Sequence, residues 1–136
     1  DEANFANSSA TVRIAAASID TRHADRDAHL RSADFLDVEN HSELTFVTRR
    51  IEPKGGDWRV AGDLTVRGVT REVVLDGEVS GPVTDPWGGS RIGVSLTGKV
   101  NRKEFGMVWN AALDAGGFVL ADDVKLAIEI ELLKQA

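Results

Sequence analysis

Apolar and polar residues alternate along most of this chain, with the period of two that is typical of β-strands burying one face. The last run is the clearest, because every second residue from Val124 to Ile130 is aliphatic. Five earlier stretches share the pattern: residues 11–16, 43–48, 58–67, 72–79 and 91–97. The chain is therefore predicted to form at least six strands, each with one apolar and one polar face.

Short segments rich in glycine, proline or charged residues separate several of these runs. They lie at residues 53–57, 67–70, 85–89 and 116–117. Such segments are typical of turns, and connections this short place consecutive strands side by side and antiparallel. A barrel or a sandwich buries the apolar faces and protects the strand edges. The pattern therefore predicts an all-β, antiparallel fold.

One segment, residues 21–38, departs from the alternation and contains neither glycine nor proline. Leu30, Asp34 and Phe35 within it are spaced as they would be on a helix. We predict one or two helical turns over residues 25–32, with Asp25 as the N-cap. This segment would be a long connection lying across one end of a barrel.

Aromatic and apolar residues alternate again at Phe105, Met107 and Trp109. On a strand these three side chains share one face. They suit a packed core as well as a cavity wall, so the pattern leaves both alternatives open. Many inward positions elsewhere carry small or β-branched residues, which favours a cavity. These positions are Val12, Ala16, Val60, Val66, Val73 and Val94.

The composition narrows the range of partners. The 136 residues fit one domain, and their net charge of -6 disfavours nucleic acid, which requires a basic surface. The same charge disfavours electrostatic docking to anionic lipid. The chain has no cysteine and no run of about 18 apolar residues, so we predict neither disulfides nor stable membrane insertion. No leader peptide is recognisable, and the compartment stays open between cytoplasmic and periplasmic or secreted.

A polar cluster of His23, Asp25, Asp27 and His29 lies in the helical segment. On a helix, Asp25 and His29 share a face and would suit a metal ion. We favour a solvated polar connection, because no further cluster of ligands accompanies these residues. No Gly-x-Ser-x-Gly elbow is present, and no carboxylate pair stands out. We therefore expect no catalytic residue, no metal and no cofactor.

Five motifs together resemble a known family. They are Ser18-Ile19-Asp20-Thr21 and residues 26–37, 62–70, 85–88 and 101–110. In this order they closely resemble the YceI-like family of lipid-binding proteins, also described as polyisoprenoid-binding. The resemblance extends from about Ser8 to the C-terminus.

The resemblance implies an extended, lipocalin-like antiparallel β-barrel, eight-stranded in the family, with a short helical connection. It implies that the pore binds a polyisoprenoid lipid, either an isoprenoid quinone or a polyprenyl pyrophosphate, for transport, storage or metabolism. Each buried methylene contributes about 0.8 kcal/mol, so a long chain is retained with few polar contacts.

The resemblance also implies the residues that contact the ligand. Leu30 and Phe35 would lie at the mouth or wall of the pore, and the others would point inward from strands. The predicted ligand-binding residues are Leu30, Phe35, Phe46, Leu64, Val66, Leu75, Val94, Phe105, Met107, Trp109 and Ile128. Two alternatives remain: an enzyme acting on a prenyl lipid through His29 and Asp27, and a fully packed structural or stress-response barrel.

The chain departs from the family pattern at its start. Family members have strands before the segment that resembles residues 8–18, so roughly forty residues, or two to three strands, are expected to be absent relative to a closed barrel. We expect residues 1–136 to form a single domain that lacks its N-terminal strands. A second copy, as a homodimer, or another chain would then complete the barrel.

Overall fold

A single antiparallel sheet forms the body of the molecule. The computed structural model describes residues 1, 3–113 and 116–135. Six strands in this part of the chain pair in sequence order, and the sheet curls into a half-barrel. They are β1 (Thr11–Ala15), β2 (Glu43–Lys54), β3 (Asp57–Val66), β4 (Val69–Thr84), β5 (Ser90–Asn101) and β6 (Asp123–Leu133). The all-β, antiparallel fold predicted from the alternation is confirmed.

Two tight turns fix the register of the central strands. Gly55 and Gly56 join β2 to β3 with φ values of 55° and 91°. Arg67 and Gly68 join β3 to β4 with φ values of 55° and 72°, the left-handed conformation that a two-residue hairpin matched to strand twist requires. A Cβ at Gly68 would also lie 2.8 Å from the His41 ring. The turns predicted at these positions are therefore confirmed.

The alternation sorts the side chains onto two faces. On the concave face, apolar residues of β2 to β5 pack with Phe105 into one core. Its buried members are Phe46, Val60, Val66, Val73, Leu75, Leu96 and Phe105. Phe105 and Leu75, each 1% exposed, are its most deeply buried large side chains. This face determines which residues surround the candidate site.

On the convex face, charged residues form cross-strand ion pairs. Arg49 contacts Asp63 at 2.7 Å, and Lys54 Nζ lies 2.9 Å from an Asp76 carboxylate oxygen. The hydrogen bond and charge of Lys54 lower the pKa of Asp76. Arg49, Lys54 and Asp76 are at least half exposed and Asp63 is partly exposed, so solvent screens their attraction and each pair adds little to stability. The convex face is thus a solvated surface.

Strands β1 and β6 are the edges of the described sheet, since each pairs with only one other strand there. Their inward apolar side chains are less well covered than those of the central strands. Ile14 on β1 is 48% exposed, and Val124 and Leu132 on β6 are 40% and 52% exposed. The half-barrel thus has an apolar seam along these two edges.

The connection between β1 and β2 contains the predicted helix, α1 (Ala24–Arg31). The N-cap is His23, whose Nδ1 accepts a hydrogen bond from the Arg26 backbone N–H at 3.1 Å. The prediction that Asp25 is the N-cap was therefore wrong. Asp25 lies inside the first turn instead, where its negative charge complements the positive end of the helix dipole.

The segment after β5 is not the strand that alternation predicted for residues 105–109. A 3-10 turn spans Arg102–Phe105, and Gly106 follows with a φ of 82°. The Asn101 side chain starts this turn by accepting a hydrogen bond from the Lys103 backbone N–H at 2.9 Å. The side-chain cap and the left-handed glycine override the alternating pattern. The turn predicted at Gly116 and Gly117 is confirmed, with φ values of 90° and 85°.

Candidate ligand-binding cavity

The concave face encloses a hollow of about 560 Å³. Inward side chains of all six strands contribute to its wall, together with residues before, within and after α1 and residues that follow β5. Nearly all of these side chains are apolar. The volume lies within the range of about 300–1,000 Å³ that is typical of small-molecule sites.

A second hollow of about 350 Å³ lies on the same face. Its wall includes Phe5, Trp58, Val79 and Leu132. The two hollows share lining residues, namely Val12, Phe46, Leu96 and Ile130. The two hollows therefore lie next to each other along the concave face, and we call the pair the trough.

Glycines on the concave face shape the floor of this trough. A Cβ at Gly62 would lie 2.5 Å from Cζ of Phe46, and one at Gly98 would lie 2.4 Å from Cδ2 of Leu75. Large side chains of neighbouring strands therefore lie directly over these glycines. A side chain at either position would push Phe46 or Leu75 into the space of the trough.

The structure brings most of the predicted site residues together. Those lining the larger hollow are Leu30, Phe35, Phe46, Leu64, Val66, Leu75, Phe105, Met107 and Ile128. Val94 lines the smaller hollow. Phe105 and Met107 reach the wall from the turn and loop after β5 and not from a strand, so their predicted strand placement was wrong. Whether these residues contact a ligand stays a prediction.

Trp109 occupies a different position from the one predicted. Its ring packs edge-on against His29, with 4.5 Å between ring centroids, and against Phe35 at 5.7 Å. The assignment of Trp109 to an inward strand position was wrong because the chain leaves the sheet at Arg102. Trp109 instead joins the loop after β5 to the helical connection.

This aromatic contact is one of the links that hold a cover over one end of the larger hollow. The cover consists of the helical connection, residues 16–42, and of residues 102–113 and 116–122. Arg67 in the β3–β4 turn donates hydrogen bonds from Nη1 to the carbonyl oxygens of Phe35 and Gly106, at 3.4 and 3.2 Å. Both parts of the cover are thereby attached to the sheet and to each other.

His29 and Asp27 have separate partners, so the pairing expected for the enzyme alternative is not formed. His29 Nε2 lies 2.9 Å from a carboxylate oxygen of Asp34. Asp27 is buried and accepts hydrogen bonds from the hydroxyl and the backbone N–H of Thr21. The hydroxyl hydrogen bond is the main cause that lowers the pKa of Asp27, opposed by partial desolvation. The carboxylates of Asp27 and Asp34 thus stabilise the fold of the helical connection.

A metal centre has no structural support in the described part of the chain. Within residues 1, 3–113 and 116–135, no group of three or more His, Cys, Asp or Glu side chains is arranged to hold a metal ion. Among those same residues, none of the helices has the length and apolar character needed to cross a membrane.

Sequence reasoning missed the buried charged residue of the wall, Arg102. It is 4% exposed and donates from Nε to the carbonyl oxygen of Ala121 at 2.9 Å. Its Nη1 donates to the carbonyl oxygens of Met107 and Trp109, at 2.6 and 2.8 Å. Arg102 could have been recognised from the sequence, because it follows Val100 by two residues and so continues the alternation that places every second residue of β5 on the concave face.

An antiparallel half-barrel with an apolar concave trough defines a ligand-binding barrel. Comparison with known proteins agrees: the YceI-like domain matches residues 1–132. Protein YceI from Escherichia coli O17:K52:H18 is 40% identical over 135 residues, which cover 99% of this chain and 68% of that protein. A UPF0312 protein from Serratia proteamaculans is 40% identical over 131 residues, covering 96% of this chain and 65% of that protein. The chain belongs to the YceI-like family, and it spans about two thirds of the length of these curated relatives.

Solved structures show the same fold. The Campylobacter jejuni YceI protein is 30% identical and superposes with a TM-score of 0.84, over 100% of this chain and 78% of that one. BcnA from Burkholderia cenocepacia is 23% identical, with a TM-score of 0.83 over 97% of this chain and 79% of that one. The BcnA likeness shows the fold alone.

Proposed function

We propose that this chain binds a long-chain isoprenoid lipid in the concave trough, for transport, storage or metabolism. The observation that carries the proposal is the adjacency of the two apolar hollows, of about 560 and 350 Å³, which share four lining residues. A compact ligand would need only one of them. An isoprenoid quinone or a polyprenyl pyrophosphate has a chain long enough to occupy both.

Binding would be driven by removal of the chain from water. Each buried methylene contributes about 0.8 kcal/mol, so several isoprene units together supply the free energy of a micromolar complex, after the cost of ordering the chain. The wall offers few polar groups that would need partners. Affinity should therefore grow with chain length, and no covalent chemistry is required.

The exposed seam supports a second element of the proposal, that further strands pair along the edges of β1 and β6. Unpaired edges beside apolar side chains such as Ile14 and Val124 favour strand addition. Light scattering after size exclusion distinguishes a second copy, which doubles the mass, from a monomer. A monomer at micromolar concentration, with binding intact, would contradict completion by a second copy.

Lipid extraction from the purified protein, followed by mass spectrometry, identifies the bound lipid directly. Titration with a prenylated benzoquinone tests binding in solution, because quinones quench tryptophan fluorescence and Trp58 lines the smaller hollow. We expect saturable quenching that strengthens with the number of isoprene units. Absence of saturation at every chain length would contradict the proposal.

Two matched substitutions on β6 test whether the ligand binds on the concave face. Ile128 is half-buried in the wall of the larger hollow, whereas its neighbour Ala127 is exposed on the convex face. Ile128→Trp fills the trough and should weaken prenyl binding at least about tenfold, or by 1.4 kcal/mol. Ala127→Trp, with the same added side chain, should leave it unchanged. If both substitutions weakened binding equally, the result would show that the ligand does not bind in the trough.

A further inference from the structure

Trp87 is the most exposed large apolar side chain in the described part of the protein, at 85%. It lies in the loop of residues 85–89, between β4 and β5. Val83 near the end of β4 is 62% exposed, and Leu133 at the end of β6 is 48% exposed. We call Val83, Trp87 and Leu133 the apolar patch. Single exposed apolar residues are common, but a group of them indicates a contact with another molecule.

The strand register places the apolar patch at one end of the trough. Val83 pairs with Arg91, and Arg91 pairs with Leu133, so these three side chains share the convex face. The next pair, Ile92 and Leu132, lines the smaller hollow on the concave face. Strand β4 begins at the turn that holds the cover and ends at the loop of residues 85–89. The patch therefore borders the end of the trough opposite to the cover.

The loop presents the Trp87 ring to solvent while its own backbone is paired. The carboxylate of Asp85 accepts hydrogen bonds from the backbone N–H groups of Trp87 and Gly89, at 2.9 and 2.8 Å. The Asp85 backbone N–H donates to the Gly89 carbonyl oxygen at 2.8 Å. Because these backbone groups already have partners, the loop can leave water without losing hydrogen bonds there.

The charged side chains beside the apolar patch balance one another. Arg91 Nε lies 2.7 Å from Oδ2 of Asp85, and Nη1 of Arg91 contacts Glu131. The hydrogen bond from Arg91 is the main cause that lowers the pKa of Asp85, so this carboxylate stays ionised and paired. Lys134 follows Leu133 and brings a second positive charge. Two positive and two negative charges leave the patch without net charge, which suits a partner surface that also has none.

The size and chemistry of the patch favour a lipid surface over a protein. Its three side chains expose on the order of 400 Å², whereas each partner of a stable protein complex buries about 800 Å². A tryptophan ring suits the boundary between acyl chains and head groups, because it is apolar and carries one N–H donor. The net charge of -6 disfavours anionic lipid, so zwitterionic phospholipid is the fitting surface.

A second exposed apolar segment lies in the cover, at the opposite end of the sheet. Val108 and Phe118 there are 64% and 67% exposed. The sequence between them contains Asp114, and a carboxylate is costly to bring into an apolar interface. This segment therefore fits a bilayer less well than the patch around Trp87, and it supplies a control.

We propose that the apolar patch docks this protein reversibly on a zwitterionic phospholipid bilayer, with the Trp87 ring in the interface. The contact is peripheral. It brings the end of the trough beside Ile92 and Leu132 close to the lipid, so a prenyl chain passes between bilayer and trough with little exposure to water. This delivery rests on the proposed function, whereas the docking itself does not.

Co-sedimentation with vesicles of phosphatidylcholine tests the docking. We expect the wild-type protein to bind, Trp87→Ala to lower the partition coefficient at least about tenfold, and Trp87→Phe to keep part of the binding. Replacing part of the phosphatidylcholine by phosphatidylglycerol should weaken binding at low salt. A wild-type protein that does not bind phosphatidylcholine, or that binds more tightly as phosphatidylglycerol is added, would overturn the inference.

Two controls assign the effect to this patch. Phe118→Ala removes an exposed aromatic ring from the cover and should bind vesicles as the wild type does. An equal loss in Phe118→Ala and Trp87→Ala would contradict docking through the end that carries Trp87. Light scattering after size exclusion tests a second copy as the occupant. A wild-type oligomer that Trp87→Ala dissociates would assign the patch to that copy and overturn the docking.

Titration with the prenylated benzoquinone separates this inference from the proposed function. Trp87 is in the wall of neither hollow, so Trp87→Ala should keep the wild-type affinity in solution while it slows quinone transfer from vesicles to protein. An unchanged transfer rate would overturn delivery through the patch. Docking without quinone binding would contradict the proposed function alone, and quinone binding without docking would contradict this inference alone. Circular dichroism checks that the alanine variant folds, and if it does not, Trp87→Phe and the change of lipid composition decide.

Discussion

The concave and convex faces of the sheet are built from the same strands, yet they differ in what surrounds their side chains. Two neighbours on β4 show the contrast: Leu75 is 1% exposed on the concave face, and Val74 is 47% exposed on the convex face. Both are aliphatic, so hydrophobicity does not explain the difference. Curvature makes concave side chains converge and convex ones diverge. The trough is therefore a product of how the sheet curls as well as of its apolar residues.

The largest expected effect comes from placing the same charge on each face. Leu75→Asp buries a carboxylate with no partner and should lower the free energy of unfolding by roughly 4 kcal/mol or more. Val74→Asp places the carboxylate in water and should cost about 1 kcal/mol or less. Urea denaturation followed by circular dichroism measures both. Similar losses in the two variants would contradict the assignment of the faces.

A smaller effect is expected from adding one methyl group on each face. Gly62→Ala meets Phe46 and the carbonyl oxygen of Val47, at 2.5 and 2.6 Å, and should destabilise the protein by about 1–3 kcal/mol. Gly93→Ala meets only the hydroxyl oxygen of Ser80, at 2.7 Å, which can rotate away, so its effect should stay within about 0.5 kcal/mol. Thermal denaturation measures which of the two variants loses more stability. A milder loss at Gly62 would show that Phe46 has room to move, and the trough would then be larger than described.

The smallest expected effect concerns acid sensitivity of the convex face. Lys54 lowers the pKa of Asp76, so the folded state holds a proton there less tightly than the unfolded state does. This stabilising contribution is present above the ordinary aspartate pKa of about 3.9 and is lost as the pH falls through the lower folded value. Lys54→Met should raise the Asp76 pKa in an NMR titration and slightly reduce stability at neutral pH, with little difference near pH 2.

Lys125→Met, on the convex face of β6, is the control for that titration and should leave the Asp76 pKa in place. An Asp76 pKa unchanged by Lys54→Met would show that the ion pair is not maintained in solution. The concave face, which is lined mainly by apolar groups, should respond little to pH over the same range.

Much of the fold could be predicted from the sequence. Alternation is a local property, and it identified the strands and assigned residues such as Leu64, Leu75 and Ile128 to the concave face. The two-residue turn at Arg67 and Gly68 was also predictable, because turn formation depends on the residues of the turn itself. Prediction failed after Asn101, where a side-chain cap and a left-handed glycine turn the chain out of the sheet. Met107 and Trp109 therefore alternate in sequence without lying on a strand.

The candidate site was predictable in its apolar character but not in its polar detail. Nothing near Asp27 or His29 in sequence distinguishes a catalytic pair from two structural side chains. Their partners, Thr21 and Asp34, became apparent only when the connection was folded. Arg102 was overlooked because an arginine in an alternating series is ordinarily assigned to solvent.

By itself the sequence determined the antiparallel strands, their apolar faces and the family, because these follow from periodicity and from motifs within short stretches of chain. Tertiary structure decided the curl of the sheet, the adjacency of the two hollows and the burial of Arg102. These depend on distances between residues far apart in the chain, such as Arg102 and Ala121 or His29 and Trp109. A local pattern specifies which side of a strand a residue occupies, but packing alone specifies what it meets there.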